Sequence, residues 1–177
     1  MAAVTAWLGL GSNLADPAQQ IAAAQAAIAA LPDSRLVACS SGYRSAAWGA
    51  STPQPDYINA VVAIDTTLSP LTLLRELHRI ERAQGRVRSG ERYAARTLDI
   101  DLLLYGDQQL ATPELTVPHP RLHERAFVLL PLAELAPNLI IAGHGRVADL
   151  LAALPASDRA GVHRIDTPPP PVCSDNR

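Results

Sequence analysis

Asp99 and Asp101 stand two residues apart in the apolar run Leu98-Asp99-Ile100-Asp101-Leu102-Leu103-Leu104-Tyr105. Side chains alternate faces along a strand, so both acids project from one face with their Cα atoms about 7 Å apart. Neighbouring carboxylates repel, and burying them without partners is unfavourable, so the pair needs a cation. Just upstream lie Arg82, Arg86, Arg88, Arg92 and Arg96. Guanidinium groups match phosphate oxygens bidentately, and an oxygen-only acid pair suits Mg²⁺ carrying a polyphosphate. The plainer alternative is an edge strand whose acids face water, with the arginines solvated beside Glu81 and Glu91.

Three further groupings could do chemistry. In Pro118-His119-Pro120-Arg121-Leu122-His123-Glu124-Arg125-Ala126-Phe127, the flanking prolines keep His119 out of a helix interior. His119 and His123 are four apart, but the prolines spoil a helical zinc pair, so His119 and Arg125 fit phosphate contact better. Phe127, the only phenylalanine, belongs to the core or also lines a ligand slot. Tyr57 and Asn59 share one face of an apolar strand containing Ile58, Ala60, Val61 and Val62. The Asn59 amide needs partners, either neighbouring backbone or the amide-like edge of a planar heterocycle. Gly9-Leu10-Gly11-Ser12-Asn13-Leu14 begins like a dinucleotide fingerprint, but Leu14 replaces the third glycine and no Gly-Lys-Ser/Thr follows. A tight strand-to-helix turn is expected there.

The elements that must position these groups are readable from periodicity and punctuation. Residues 4–10 read as a strand, and Asp16 and Pro17 as the N-cap and first turn of an Ala-rich helix over 17–31. Strands are expected at 36–44 and 57–65, separated by an irregular loop over 45–56. Ser69-Pro70 opens a helix to about residue 84, with Leu71, Leu74, Leu77 and Ile80 on one stripe. The arginine-rich loop over 85–95 is expected to be a mobile lid, and the acid strand follows at 98–105. Helices are expected at 124–135 and 146–154. Residues 1–166 read as one domain, and 167–177, with Pro168 to Pro171, as a Pro-rich disordered tail. The order βαββαβ predicts an α+β ferredoxin-like sandwich, with helices on one face of a mainly antiparallel sheet.

Composition narrows the function classes. The net charge of −2 gives no global attraction to nucleic acid or an acidic membrane, and 4% aromatics supply no base-stacking platform. Positive charge is instead local, which points to a site. Cys39 and Cys173 are too few for a disulfide framework or a cysteine zinc cluster, so a reduced, cytoplasmic setting is expected. No run reaches membrane-spanning length, and a signal peptide is not expected.

Five colinear segments resemble the 6-hydroxymethyl-7,8-dihydropterin pyrophosphokinase family. They are residues 8–14, 54–60, 84–88, 96–101, and 116–120 with 125–127, and the likeness covers roughly 4–150 in the family's order. It implies a ferredoxin-like enzyme that transfers pyrophosphate from MgATP to the hydroxymethyl oxygen of the pterin, releasing AMP, in folate biosynthesis. It implies two Mg²⁺ ions on Asp99 and Asp101, and Arg86, Arg96, His119 and Arg125 on the ATP phosphates. Of these, Arg86, Arg96, Asp99 and Asp101 are the expected catalytic set. Glu81, Arg88, Arg92, Ile100, Leu102 and Thr116 are expected around the nucleotide. The pterin is expected against Tyr57 or Phe127, bonded to Asn59, with backbone groups of Ser45, Ala46 and Trp48 nearby and Tyr93 in the lid. Ser89, Tyr93, His78 and Pro120 depart from residues common in the family, whereas the metal and main phosphate positions are kept. Partners are expected to be small molecules only, with no nucleic acid or membrane, acting on a monomer. Two rival readings are another metal-dependent transferase acting on nucleotide sugars, for which no sugar site is evident, and a non-catalytic binding module, which the intact acid and arginine sets disfavour.

Overall fold

The elements follow the order read from the sequence, with additions near the C-terminal end. The computed structural model describes residues 2–47, 52–85 and 98–166. In chain order these form β1 (Val4–Ser12), α1 (Pro17–Ala29), β2 (Ser34–Cys39), β3 (Gly42–Ser45), β4 (Tyr57–Thr66), α2 (Pro70–Ala83) and β5 (Asp99–Tyr105). A short pair, β6 (Leu110–Ala111) and β7 (Thr116–Val117), leads to a 3-10 turn (Leu122–Glu124) and α3 (Ala126–Leu135). Then come β8 (Ile140–Ile141), β9 (Gly145–Arg146), α4 (Val147–Ala153), α5 (Ala156–Ala160) and β10 (Val162–Ile165). The expected lid over 85–95 lies, apart from Gly85, outside the described residues, as does the Pro-rich segment 167–177.

The main sheet runs β10-β3-β4-β1-β5, with β2 also paired to β4, and its pairs are antiparallel. This is the order a βαββαβ chain gives when its second strand lies outside its third. The expected single strand over 36–44 is in fact two, because Ser40 interrupts it. Its N–H donates to the Val61 carbonyl, while its hydroxyl accepts from the Val61 N–H, both at 2.9 Å. A serine side chain therefore does the work of a backbone carbonyl, and the ladder restarts at β3. β10, which the sequence reading did not anticipate, covers the outer edge of β3.

Helix starts obey the capping signals. Asp16 accepts from the Gln19 N–H at 3.4 Å, and Ser69 accepts from the Thr72 N–H at 3.2 Å, each just before a proline at the start of its helix. In α2 the fully buried line is Leu73, Leu77 and Ile80, with Leu71 and Leu74 flanking it, so the stripe is rotated from the expected one.

Strand alternation divides the apolar residues between two cores. Ala6, Leu8 and Leu10 of β1 and Ile100 and Leu102 of β5 pack under α1 and α2. Val61 and Leu103 face the other way, onto Leu122, Val128, Leu129 and Leu132. The two crossover helices thus share one face as expected, and the C-terminal continuation covers part of the opposite one. Glu134 ties that continuation down. Its carboxylate accepts from Ser41 N–H and Ser41 Oγ, both at 3.0 Å, and from the Tyr43 hydroxyl at 2.6 Å. Burial works against ionisation of Glu134, but these hydrogen bonds, with Arg164 close by, hold its carboxyl below the usual range. Burial, then the hydrogen bond to Glu134, pushes the Tyr43 hydroxyl up to about 12.

Candidate active site

β5 alternates between its two surroundings. Ile100 and Leu102 enter the core under α1 and α2, which turns Asp99 and Asp101 to the opposite face, half-buried. β5 is an edge strand, as the plain alternative supposed, but both acids line cavities. Across the ladder, Asp99 pairs with Gly11 and Asp101 with Gly9. The strand next to the carboxylates therefore carries no side chains at their level, leaving room for a bulky anion and its cations. β1 does not stop before these glycines, as a turn there would require, but runs to Ser12. On the far side of β1, Gly11 pairs with Asn59 and Gly9 with Val61, while Asn59 pairs in turn with Tyr43. One row across the sheet is thus Asp99, Gly11, Asn59 and Tyr43. At the usual strand spacing, Asn59 and Asp99 lie about 10 Å apart at their Cα atoms.

Two other contacts fix this row. Glu81, buried on α2, accepts the Ile100 N–H at 2.7 Å and so pins β5 between its two acids. His119 donates its backbone N–H to the Leu103 carbonyl at 2.8 Å, and its Nδ1 accepts from the Arg121 N–H at 3.2 Å. Burial first, then Arg125, lowers the His119 pKa to about 4, against an opposing pull from Asp99. The ring is therefore neutral near pH 7, and with Nδ1 accepting, its proton sits on Nε2. It offers a hydrogen-bond donor without a fixed charge.

Two cavities meet at these residues. The larger, about 520 Å³, is lined by Ser45, Ala46, Tyr57, Asn59, Arg125 and Phe127 over a floor of Gly9 and Gly11. The smaller, about 340 Å³, is lined by His78, Glu81, Ile100, Leu102 and Thr116. Asp99, Asp101, His119 and Pro120 line both. Among the described residues, Ser45, Ala46, Tyr57, Asn59 and Phe127 thus line one cavity and Glu81, Ile100, Leu102 and Thr116 the other, with the acid pair lining both. Arg125, expected on phosphate, lines the larger one, with its guanidinium carbon 5.6 Å from the Phe127 ring centroid. Trp48, Arg86, Arg88, Arg92, Tyr93 and Arg96 lie outside the described residues.

Gln54 and Arg121, given no role from the sequence, and the two floor glycines, expected only to turn the chain, all line the larger cavity. Glycines at alternate positions of an apolar strand are a signal of close approach that was available. Gln54 had none: it is brought in by Asn13, whose Nδ2 donates to Gln54 Oε1 at 3.2 Å and to the Pro55 carbonyl at 3.1 Å.

The acid pair fits magnesium. Its donors are carboxylate oxygens only, and the described residues hold no cluster of three or more His, Cys, Asp or Glu that could form a protein cage. Mg²⁺ bound through one or two carboxylates, with waters and phosphates completing its shell, suits that arrangement.

Residues 7–137 match the family model described as 7,8-dihydro-6-hydroxymethylpterin-pyrophosphokinase. The chain is 50% identical over 159 residues to the 2-amino-4-hydroxy-6-hydroxymethyldihydropteridine pyrophosphokinase of Pseudomonas aeruginosa, covering 90% of this chain and 95% of that one. It is 47% identical over 148 residues to the Haemophilus influenzae enzyme of the same name, covering 84% and 91%. Its fold is similar to a Plasmodium falciparum HPPK-DHPS chain, with a TM-score of 0.70 at 13% identity. That likeness covers 92% of this chain but only 47% of the longer Plasmodium one.

Proposed function

This chain belongs to the 7,8-dihydro-6-hydroxymethylpterin-pyrophosphokinase family, and from that premise we propose how its paired cavities carry the reaction. The enzyme transfers pyrophosphate from ATP to the hydroxymethyl group of 6-hydroxymethyl-7,8-dihydropterin in folate biosynthesis, releasing AMP. In our reading the larger cavity takes the pterin and the smaller one the nucleotide. The observation that carries this is that the two share Asp99, Asp101 and His119. The reacting groups then meet where both cavities open onto the acid pair.

In the reaction the hydroxymethyl oxygen forms a bond to the β-phosphorus, the bond from that phosphorus to the α-phosphate oxygen breaks, and the hydroxyl loses its proton. Two Mg²⁺ ions, held by Asp99 and Asp101, would neutralise the charge that develops on the phosphates. The residues of the chain do the positioning. Tyr57 and Phe127 offer ring faces to the heterocycle, and Asn59 offers its amide. Glu81, Ile100, Leu102 and Thr116 surround the nucleoside. Neutral His119 donates through Nε2 to a phosphate oxygen, and Arg125 adds charge from the pterin side. Arg86 and Arg96 complete the clamp, with Arg88 and Arg92 near the nucleotide. These four arginines and the pterin-side Trp48 and Tyr93 are assigned from the sequence resemblance alone. Holding two reactants in one orientation supplies much of the acceleration such transfers need.

One domain over residues 1–166 carries both sites, acting as a cytoplasmic monomer. What supports the reading is that two cysteines, Cys39 and Cys173, are too few for a disulfide framework, and that both cavities share the acid pair of one strand. Among the described residues, no helix is long and apolar enough to cross a membrane. The test is product analysis with ATP, Mg²⁺ and the hydroxymethyl-dihydropterin: AMP is expected, and ADP would mean ordinary kinase chemistry. Asp99→Ala and Asp101→Ala should each abolish turnover and weaken MgATP binding with little loss of stability, since removing one acid relieves repulsion in the pair. Normal turnover in either variant would overturn the metal assignment.

A further inference from the structure

Asn59 is buried, and both N–H bonds of its amide are engaged on β3. Nδ2 donates to the Tyr43 carbonyl at 3.2 Å and to Ser45 Oγ at 2.8 Å. A carbonyl can only accept, so the Tyr43 contact fixes which end of the amide is nitrogen. Oδ1 is then the end on the Gly11 side, 3.5 Å from where a Cβ on Gly11 would stand. Gly11, Ser45 and Asn59 all line the larger cavity. The amide therefore meets a ligand as an acceptor.

We propose that the Ser45 hydroxyl is a positioning residue: it holds Asn59 with Oδ1 presented to the cavity, so that the site selects a heterocycle edge that donates hydrogen bonds. The inference rests on the assignment of the larger cavity to the pterin. A 2-amino-4-oxo ring presents adjacent donors in its ring N3–H and exocyclic amino group. Replacing the amino group by oxygen sets lone pairs against the lone pairs of Oδ1. Ser45 acts at one remove, since its hydroxyl occupies an Asn59 N–H that a ligand carbonyl could otherwise use. Strand register supports the assembly: Tyr43 pairs with Asn59 and Ser45 with Tyr57, so all four residues share the cavity face.

The test is calorimetric binding to the full chain with Mg²⁺ and a non-hydrolysable ATP analogue present. The ligands are 6-hydroxymethyl-dihydropterin and the same ring with oxygen in place of the 2-amino group. The unaltered protein should prefer the amino compound by at least about tenfold, the effect of leaving a buried acceptor unpaired. Ser45→Ala should weaken pterin binding about three- to tenfold and narrow that preference, with affinity for the ATP analogue kept. Ser45→Thr, which retains the hydroxyl, should restore both. Unchanged pterin affinity in Ser45→Ala would overturn the proposal. So would a parallel loss of ATP-analogue affinity with a lowered melting temperature, or no discrimination by the unaltered protein. Because binding is read rather than turnover, a protein that discriminates the two rings but forms no AMP would sink the reaction assignment and leave this one standing.

Discussion

His119 shows how a single side chain can be set by its surroundings before any ligand arrives. Its pKa in the fold is about 4, against 6.5 for an ordinary histidine, and burial is the chief cause. The unfolded chain therefore takes up this proton below about pH 6.5, while the folded one resists until about pH 4. In that window acid favours unfolding, so the ligand-free protein should lose up to about 3 kcal/mol as pH falls through it. Above pH 6.5 the contribution is fully present. Urea titrations at several pH values should show a shallower dependence in His119→Gln, and identical slopes would remove His119 as the cause. Much at this scale was legible in the sequence. The spacing of Asp99 and Asp101 and the prolines around His119 each announced a constrained polar group. What could not be read was which partner each group would choose. Asn59 bonds both to the backbone of Tyr43 and to the Ser45 hydroxyl, and Glu81 bonds the backbone of Ile100.

At the scale of elements, β1 does two jobs that its sequence made look like one. Gly9 and Gly11 resembled a turn, yet they lie inside the strand and form the floor of the larger cavity. A methyl group on Gly11 would stand 3.5 Å from Asn59 Oδ1 and 3.7 Å from Tyr57 Cδ1, ordinary contact distances. Gly11→Ala should therefore fold normally and even gain up to about 1 kcal/mol, because glycine is a poor strand residue. Pterin affinity should fall by about tenfold, an intrusion worth 1–3 kcal/mol, and more than MgATP affinity falls. Thermal melts and calorimetry together would check this, and retained pterin affinity would show that the floor is not in contact with the ligand. The split of β2 from β3 was hidden for a related reason. Periodicity reports which face a residue occupies, but not that the Ser40 hydroxyl replaces a ladder carbonyl.

In the molecule as a whole, the sheet separates two cores, and the α3 side is joined to the strands through Glu134. Removing that carboxylate leaves Ser41 and Tyr43 without their acceptor. Glu134→Ala should lower stability by about 1–3 kcal/mol, read from urea midpoints. MgATP affinity should hold, since Glu134 lines neither cavity. A similar loss of MgATP affinity would mean that the α3 side governs the nucleotide site. The depressed carboxyl pKa of Glu134 adds a sign: its share of stability is present above the ordinary carboxylate range and fades as pH falls through the lowered value. The two-faced sheet has a consequence for engineering. Improving a protein's robustness often impairs its activity, because the same residues serve both ends. Here the apolar contacts of α1 and α2 lie behind the strands, while Asp99, Asp101, Asn59 and the floor glycines lie in front. A selection for heat resistance aimed at the α1 side can harden the scaffold while leaving the reacting centre as it is, provided that Glu81 and its bond to Ile100 are left alone.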